Sequence, residues 1–362
     1  MNKIKVAVIL HGLGPNGIDT LFANLSSNWD LDRFEITYFI AVDKEDKQFW
    51  EDKVINNGVK VIHISDLDGI KLLKWPFALK KCLKHYGPFD VIHVNMDMLN
   101  GINLLVAKKL KIKSRICHSH VSNNEVRSGS FKAKLKNTYI KIMKKWMCRY
   151  STKRVACSDL AGEYFFGKGN FLTIDNGVDI DKFIKTKNDN CNSELKFCTI
   201  GRIVSPKNPF FLADIVEELY KIDNKISFYW VGEGGLSKEV KKYVNKLSVN
   251  KNIHFLGIRN DVENVLSKCK YFLLPSNYEG FGLVLVEAQA ARLDCFASDT
   301  VPNTVNCGKC KFLSLEMSAN DWARQIYDYI NSKEKMVLNE EKLKSFGIKN
   351  MAEKIQDVYV DL

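Results

Sequence analysis

"YFLLPSNYEGFGLVLVEAQAARLDCFAS", residues 271–298, is the stretch on which the fold turns. "YFLLPS" is a short apolar run of strand character, Tyr278–Gly282 is a loop, Gly282–Arg292 has a helical pattern, and "DCFAS" is a second strand. Two glutamates, Glu279 and Glu287, lie eight residues apart around Gly280-Phe281-Gly282. Glu279 falls at the helix entrance, where an acid is stabilised by the helix dipole. Glu287 falls inside the helix, on a face that "LVLV" makes apolar, and a buried acid needs a partner. A catalytic pair, a ligand clamp and ordinary helix chemistry are all compatible with this spacing.

The same alternation runs outward in both directions. In the first half "KIKVAVIL", "EITYFIAV", "VKVIHI", "DVIHV", "SRICHS" and "RVACS" read as strands, with helical patterns between them, as at Ile18–Trp29 and Gly101–Leu110. In the second half "KFCTIGR", "ISFYWVGE" and "IHFLGI" precede the opening stretch. Strands alternating with helices imply parallel sheets flanked by helices. The alternation occurs twice and is broken at residues 182–197, a polar, Asn/Lys-rich segment without periodicity. The 362 residues therefore read as two doubly wound α/β domains. Ligands of such sheets bind beyond the carboxyl ends of the strands, so functional residues are expected just after strands, in a cleft between two facing domains.

Composition narrows the class. Hydrophobic residues make up 46% and charged residues 27%, which fits a globular chain. No apolar run is long enough to span a bilayer, and the leading "VAVIL" runs into a Gly-rich loop, as a first strand does; a cytoplasmic protein is expected. Ten cysteines are scattered and expected to be reduced. Cys307 and Cys310 have CxxC spacing without the second pair that a structural zinc site needs. The net charge of +12 is concentrated: residues 101–154 hold fifteen Lys/Arg against one acid, Glu125. Such a basic face points to nucleic acid or anionic lipid. Within it, "FKAKLKNTYIKIMKKWMCRY", residues 131–150, sets Phe131, Leu135, Tyr139, Ile142, Met143, Trp146 and Tyr150 near helical spacing among lysines. A helix resting on an anionic membrane is the preferred reading over a core helix with a solvated face. No nucleic-acid-binding motif accompanies it.

Three further segments carry candidate sites. "HGLGPNGIDT", residues 11–20, follows the first strand, and Gly12, Gly14 and Gly17 permit tight turns ahead of a helix whose N-terminus favours anions. "CHSHVSNNEVRSGS", residues 117–130, brings His118 and His120 to the same side of a strand end, before a long polar loop; two surface histidines are the plainer alternative. "IGRIVSPKN", residues 200–208, ends a strand at Gly201-Arg202 and opens a helix after Lys207. A forked guanidinium and a point-charge ammonium converging there suit a diphosphate.

"GRIVSPKN" followed by "PSNYEGFGLVLVEAQA" resembles the donor-site signature of retaining glycosyltransferase family 4, whose members have the GT-B fold. "GPNGIDTLFANL" and "ACSDLAGEYFFGKGNFLTIDNGVDIDKF", residues 156–183, resemble the family as well, so the likeness spans nearly the whole chain. The nearest flavour is the bacterial capsule, exopolysaccharide and O-antigen group. The resemblance implies an N-terminal acceptor domain over residues 1–184, a nucleotide-sugar domain over 190–344, and a last helix, 345–362, that crosses back to the first domain. It implies that Arg202 and Lys207, beside Gly201, hold the diphosphate of a nucleotide sugar, with UDP the expected nucleotide. Glu287 would take the ribose hydroxyls, and Glu279 would meet the donor sugar near its anomeric carbon. Amides around Phe281, Gly282 and Leu283 would meet the distal phosphate, and Gly14 and Gly17 would approach from the other domain. His120, ahead of His118, would face the donor sugar. No catalytic metal or other cofactor is implied, since basic groups and helix amides neutralise the leaving diphosphate. The acceptor would be lipid-linked or a saccharide, at the inner face of the plasma membrane.

The chain departs from the family pattern at three places. The first loop reads Gly14-Pro-Asn-Gly17-Ile-Asp19 instead of Gly-Gly then Glu. Thr304 stands in "SDTVPNTVN" where a Glu is common, and Arg292 and Asp294 replace Gly and Pro in a turn. Two other functions share parts of the pattern: a GT-B sugar-nucleotide epimerase or hydrolase, which needs more acids in the first domain, and a non-catalytic basic binding protein.

Overall fold

The computed structural model describes residues 3–120, 131–184 and 195–361, with the side chains of 131–133 left out. The polar loop 121–130 and most of the Asn/Lys-rich break, 185–194, lie outside the described residues.

The first compact unit comprises residues 1–177 and 348–362. Its elements run β1 (Ile4–Leu10), α1 (Gly17–Leu25), β2 (Phe34–Ile40), α2 (Glu51–Asn56), β3 (Lys60–His63), α3 (Ile70–Tyr86), β4 (Val91–Val94), α4 (Asn100–Lys109), β5 (Ser114–Ser119), α5 (Phe131–Tyr150), β6 (Lys153–Ala156), α6 (Asp159–Phe166) and β7 (Leu172–Thr173). Among the described residues its sheet has the order β3-β2-β1-β4-β5-β6-β7, with every pairing parallel. β1 is apolar and buried from Val6 onward, as a central strand covered on both faces must be. α1 starts cleanly because Asn16 caps it: its side chain accepts from the Asp19 N–H.

The second unit comprises residues 178–347. It runs α7 (Ile180–Ile184), β8 (Leu195–Ile200), α8 (Pro209–Ile222), β9 (Ile226–Val231), α9 (Ser237–Val244), β10 (Ile253–Gly257), α10 (Val262–Leu266), β11 (Tyr271–Leu274), α11 (Leu283–Ala290), β12 (Asp294–Ser298), β13 (Cys310–Leu313), α12 (Ala319–Asn331) and α13 (Glu340–Ser345). Its sheet has the order β10-β9-β8-β11-β12-β13, again parallel. Around it pack Phe197, Phe228, Trp230, Leu273, Phe296 and Trp322, all buried. α14 (Ile348–Val360) then lies in the first unit, where Met351, Ile355 and Tyr359 join the core around β1 and β2.

Two boundaries differ from the sequence reading. The division falls at 177/178 instead of 184, because α7 packs on α10 and α11 of the second unit. The return falls at 347/348 instead of 345, where Val178 bridges Gly347. The strands β7 and β13 were not foreseen: one has two residues, and the other lies in a run studded with lysines. No described helix is long and apolar enough to cross a membrane.

Candidate active site

Strand order reverses between β8 and β11 in the second sheet, and the carboxyl ends of both strands open onto one crevice. Gly201 and Arg202 leave β8 there. Pro275 to Glu279 leave β11. The two loops are tied together, since the Asn277 N–H donates to the Pro206 carbonyl at 2.8 Å and its side-chain amide donates to the Ser205 carbonyl at 3.2 Å. A small pocket lies at this end, lined among others by Thr199, Gly201, Arg202, Lys207 and Pro275.

Within it Arg202 is exposed, and the Lys207 ammonium donates to the Glu279 carboxylate. Ser276 Oγ, fully buried, donates to the same carboxylate at 2.7 Å. The two residues expected to hold opposite parts of one ligand are thus in contact with each other. A ligand anion arriving beside Arg202 would draw Lys207 away from Glu279, because the ammonium can serve either partner.

Gly282 is the N-terminal cap of α11 and adopts the left-handed conformation, φ +87°, with no side-chain cap. The first-turn amides of α11, Leu283 onward, therefore keep their anion-binding character. The Phe281 ring is buried against Phe346 at 5.9 Å, which leaves its backbone as the part that can face a ligand. Glu287 sits one turn further in, half-buried. Burial pushes its carboxyl up to about 7, with the Lys182 charge opposing and the Glu263 charge adding. Lys182 and Glu263 form an ion pair at 2.8 Å, so the partner that an acid on this helix needs is a cation already shared.

Two glycines outside the expected set shape the crevice. A Cβ on Gly232 would lie 2.1 Å from the Gly201 carbonyl oxygen, and one on Gly234 would lie 2.4 Å from that of Ile203. The turn after β9 can press on the Arg202 loop only without side chains there.

The first unit holds a second polar cluster, at the carboxyl ends of β4 and β5. His118 and His120 are buried, which rules out the surface reading. Tyr359 Oη meets His93 Nδ1 at 2.8 Å, His93 Nε2 meets His118 Nδ1 at 3.1 Å, and the His118 ring lies 4.1 Å from that of His120. His120 is held by Asn95 at 3.1 Å and Asn176 at 3.3 Å. Burial pushes His120 down to about 4 and His93 down to about 3, so all three rings are neutral near pH 7. Asp97, beside Asn95, has a left-handed backbone, φ +47°, and burial pushes its carboxyl up to about 6. None of His93, Asn95, Asp97, Asn176 or Tyr359 was picked out from sequence. A histidine inside the apolar strand "DVIHV" was the one available signal.

Gly14 and Gly17 flank the start of α1. The Gly14 N–H donates to Asp19 Oδ2 at 2.8 Å, so that amide is already engaged, while a Cβ on Gly17 would meet nothing within 4 Å. Asp19 also accepts from the Asn16 side-chain amide at 2.7 Å. The altered first loop thus folds around its own acid. At the other departures, Arg292 is left-handed, φ +69°, and pairs with Glu340, Asp294 faces Lys309 at 2.5 Å, and Thr304 is exposed in a short turn. Cys307 and Cys310 are free and buried, and burial pushes their thiols up to about 11 and about 12. Among the described residues no group of three His, Cys, Asp or Glu is arranged to hold a metal ion.

Two doubly wound parallel sheets, one with a basic crevice and an acid-bearing helix at its switch point, define the GT-B class of sugar-transfer enzymes. Comparison with known proteins gives the family. The sequence pattern of Glycosyltransferase Family 4 matches residues 15–182, and that of Glycosyl transferases group 1 matches residues 181–346. The chain belongs to glycosyltransferase family 4 and is a glycosyltransferase. It is 28% identical to the capsular polysaccharide biosynthesis glycosyltransferase CapH of Staphylococcus aureus, over 86% of each chain. It is also 28% identical to the Escherichia coli UDP-Gal:alpha-D-GlcNAc-diphosphoundecaprenol alpha-1,3-galactosyltransferase, over 81% of this chain and 80% of that one. The crystal structure of Anabaena HepE in complex with UDP and glucose superposes with a TM-score of 0.80 at 15% identity, covering 99% of this chain and all of that one.

Proposed function

We propose that the protein transfers a sugar from a UDP-sugar, with retention at the anomeric carbon, to a lipid-linked or saccharide acceptor. The observation that carries this is the convergence of Arg202, Lys207, Glu279 and the uncapped start of α11 at the β8/β11 switch point, with Glu287 one turn further along. Arg202 and Lys207 would neutralise the diphosphate, and the α11 amides would add hydrogen bonds to its distal phosphate. Glu287 would accept from the ribose hydroxyls. Glu279, released from Lys207, would lie beside the donor sugar. The leaving phosphate oxygen would take the acceptor proton on the face from which the sugar departs, so neither glutamate acts as an acid/base pair and no metal is required. His120, held neutral by burial between two asparagines, would offer a hydrogen bond to the donor sugar. Gly14 and Gly17 would border the acceptor side.

A UDP donor is favoured because one relative is a UDP-galactose enzyme and one structural neighbour holds UDP. The lipid-linked acceptor is favoured by the diphosphoundecaprenol substrate of that relative. Such an acceptor would bring the protein to the cytoplasmic face of the membrane. Contact through α5 is supported by its exposed Leu135, Tyr139 and Ile142 among exposed Lys134, Lys136, Lys141 and Lys145. Met143 belongs instead to the buried face, and Lys144 lies over the Tyr164 ring at 3.2 Å. An epimerase, which needs acids facing the sugar, has less support, because Asp19 at the start of α1 is already held by the Gly14 amide and the Asn16 side chain.

Incubation with a panel of UDP-sugars and an undecaprenyl-diphosphate-linked sugar tests the reading. One donor is expected to give a product whose new bond keeps the donor's anomeric configuration by NMR. Arg202→Ala and Glu287→Ala should each abolish transfer while circular dichroism stays that of the parent. An inverted bond, or full activity in both variants, overturns it.

A further inference from the structure

The first unit holds an acid for which the proposed transfer has no use. Asp97 follows β4 and opens a single 3-10 turn, Asp97–Leu99, ahead of α4. Its backbone is left-handed, φ +47°, a strained conformation for a residue with a Cβ. Asn100, itself buried, holds the turn in place. Its side chain accepts from the Met96 N–H at 2.7 Å and donates to the His118 carbonyl at 3.1 Å, and its backbone N–H donates to the Asp97 carbonyl. The Asp97 carboxylate is half-buried and has no hydrogen bond or ion pair among the described residues, and no neighbouring cation opposes its desolvation. Its charge reaches the Cys117 and Cys157 thiols, which puts it beside the carboxyl ends of β5 and β6. His118 Nε2, fully buried at the end of β5, also lacks a partner among the described residues. The polar groups gathered at these strand ends therefore exceed what they satisfy among themselves. Asparagine or glycine would take the same left-handed turn with no charge to desolvate, so the turn alone does not account for a carboxylate.

We propose that Asp97 is an acceptor-binding residue, whose carboxylate takes hydrogen bonds from hydroxyls of the acceptor sugar. Its place favours a ligand, because doubly wound sheets bind theirs beyond the carboxyl ends of the strands. Its chemistry selects hydroxyls: an ionised carboxylate only accepts, and its bonds from O–H donors are charge-assisted and short. The other polar side chains at the ends of β4 and β5, Asn95, His118 and His120, are neutral, a surround that matches a polyol better than a second ion. Asp97 would hold the acceptor and take no part in bond-making, since the leaving phosphate receives the proton. This role rests on the proposed saccharide-bearing acceptor and adds the residue that selects it.

Initial rates of the full chain test it, with the undecaprenyl-diphosphate-linked sugar varied at saturating donor and the donor varied at saturating acceptor. Asp97→Gly should raise the acceptor KM about tenfold or more, as when a charge-assisted hydrogen bond is lost. Asp97→Asn keeps one accepting oxygen and should raise it less, by about threefold or more. The donor KM should stay within about twofold of the parent's in both, which separates acceptor binding from a general loss of activity. The melting midpoint of Asp97→Asn should equal or exceed the parent's, because an unpaired charge is removed while the left-handed turn is kept. An unchanged acceptor KM in Asp97→Gly overturns the proposal, as does a donor KM that rises as much as the acceptor's. A midpoint of Asp97→Asn well below the parent's also overturns it, and would assign the carboxylate to holding the turn. If the parent transfers sugar to no saccharide-bearing acceptor, the proposed function fails and this role with it, an outcome read from the parent and not from the variants.

Discussion

Glu287 is a carboxyl group on a helix whose neighbours Leu285, Val286 and Ala288 are buried, and its ionisation lies near 7 instead of the ordinary 4.5. Below 4.5 the group is protonated whether the chain is folded or not. As pH rises toward 7 the unfolded chain ionises first, so stability falls through that window and the loss is complete above it. Glu287→Gln, neutral throughout, escapes the loss. The variant is expected to be more stable than the parent by roughly 2 kcal/mol near pH 8 and by little near pH 5, read from urea unfolding. An equal difference at both pH values would show that Glu287 is not held away from its ordinary ionisation. This residue was legible in the sequence because an acid amid "LVLV" and "AQA" contradicts its own helix face. Gly232 and Gly234 were not legible. Their need arises where the turn after β9 meets the loop after β8, an approach between segments that no local pattern encodes.

α14 shows what an element does outside its own sequence neighbourhood. Its Tyr359 is fully buried, 266 positions from His93, and their hydrogen bond fixes the first ring of the His93–His118–His120 row. Tyr359→Phe leaves His93 Nδ1 without that partner in a buried site. We expect a loss of about 1–2 kcal/mol in urea unfolding, with the hydroxyl's hydrogen bond and not its ring removed. Unchanged stability would mean that the Tyr359–His93 contact carries no weight. "CHSH" announced two histidines at a strand end, yet their burial depends on an element from the far end of the chain. The same limit applies to helices: apolar spacing marked residues 131–150 as unusual, but which stripe of α3 faces the core could be known only once Trp75, Leu79 and Leu83 were seen buried. Arg292 lies at the other extreme. An arginine in a left-handed turn after α11 gains an ion pair with Glu340, and neither the turn nor the partner is visible from its sequence neighbours.

At the scale of the molecule, the doubled strand-helix alternation carried most of the fold. Parallel strands buried on both faces read as continuous apolar runs, and the polar break separates the two sets. Strand order cannot be read that way, and it is the order that creates the switch point between β8 and β11. That reversal explains why Arg202 and Glu279, separated by nearly half of the second unit, share one crevice. The crevice is proposed to bind the UDP part of the donor. Calorimetric titration of the full chain with UDP tests it most directly, with Arg202→Ala and Glu287→Ala beside the parent. One UDP is expected to bind per chain, with affinity falling about tenfold or more in each variant, as when a charge-assisted hydrogen bond is removed. UDP affinity equal to the parent's in both variants, or no binding by the parent, would contradict it.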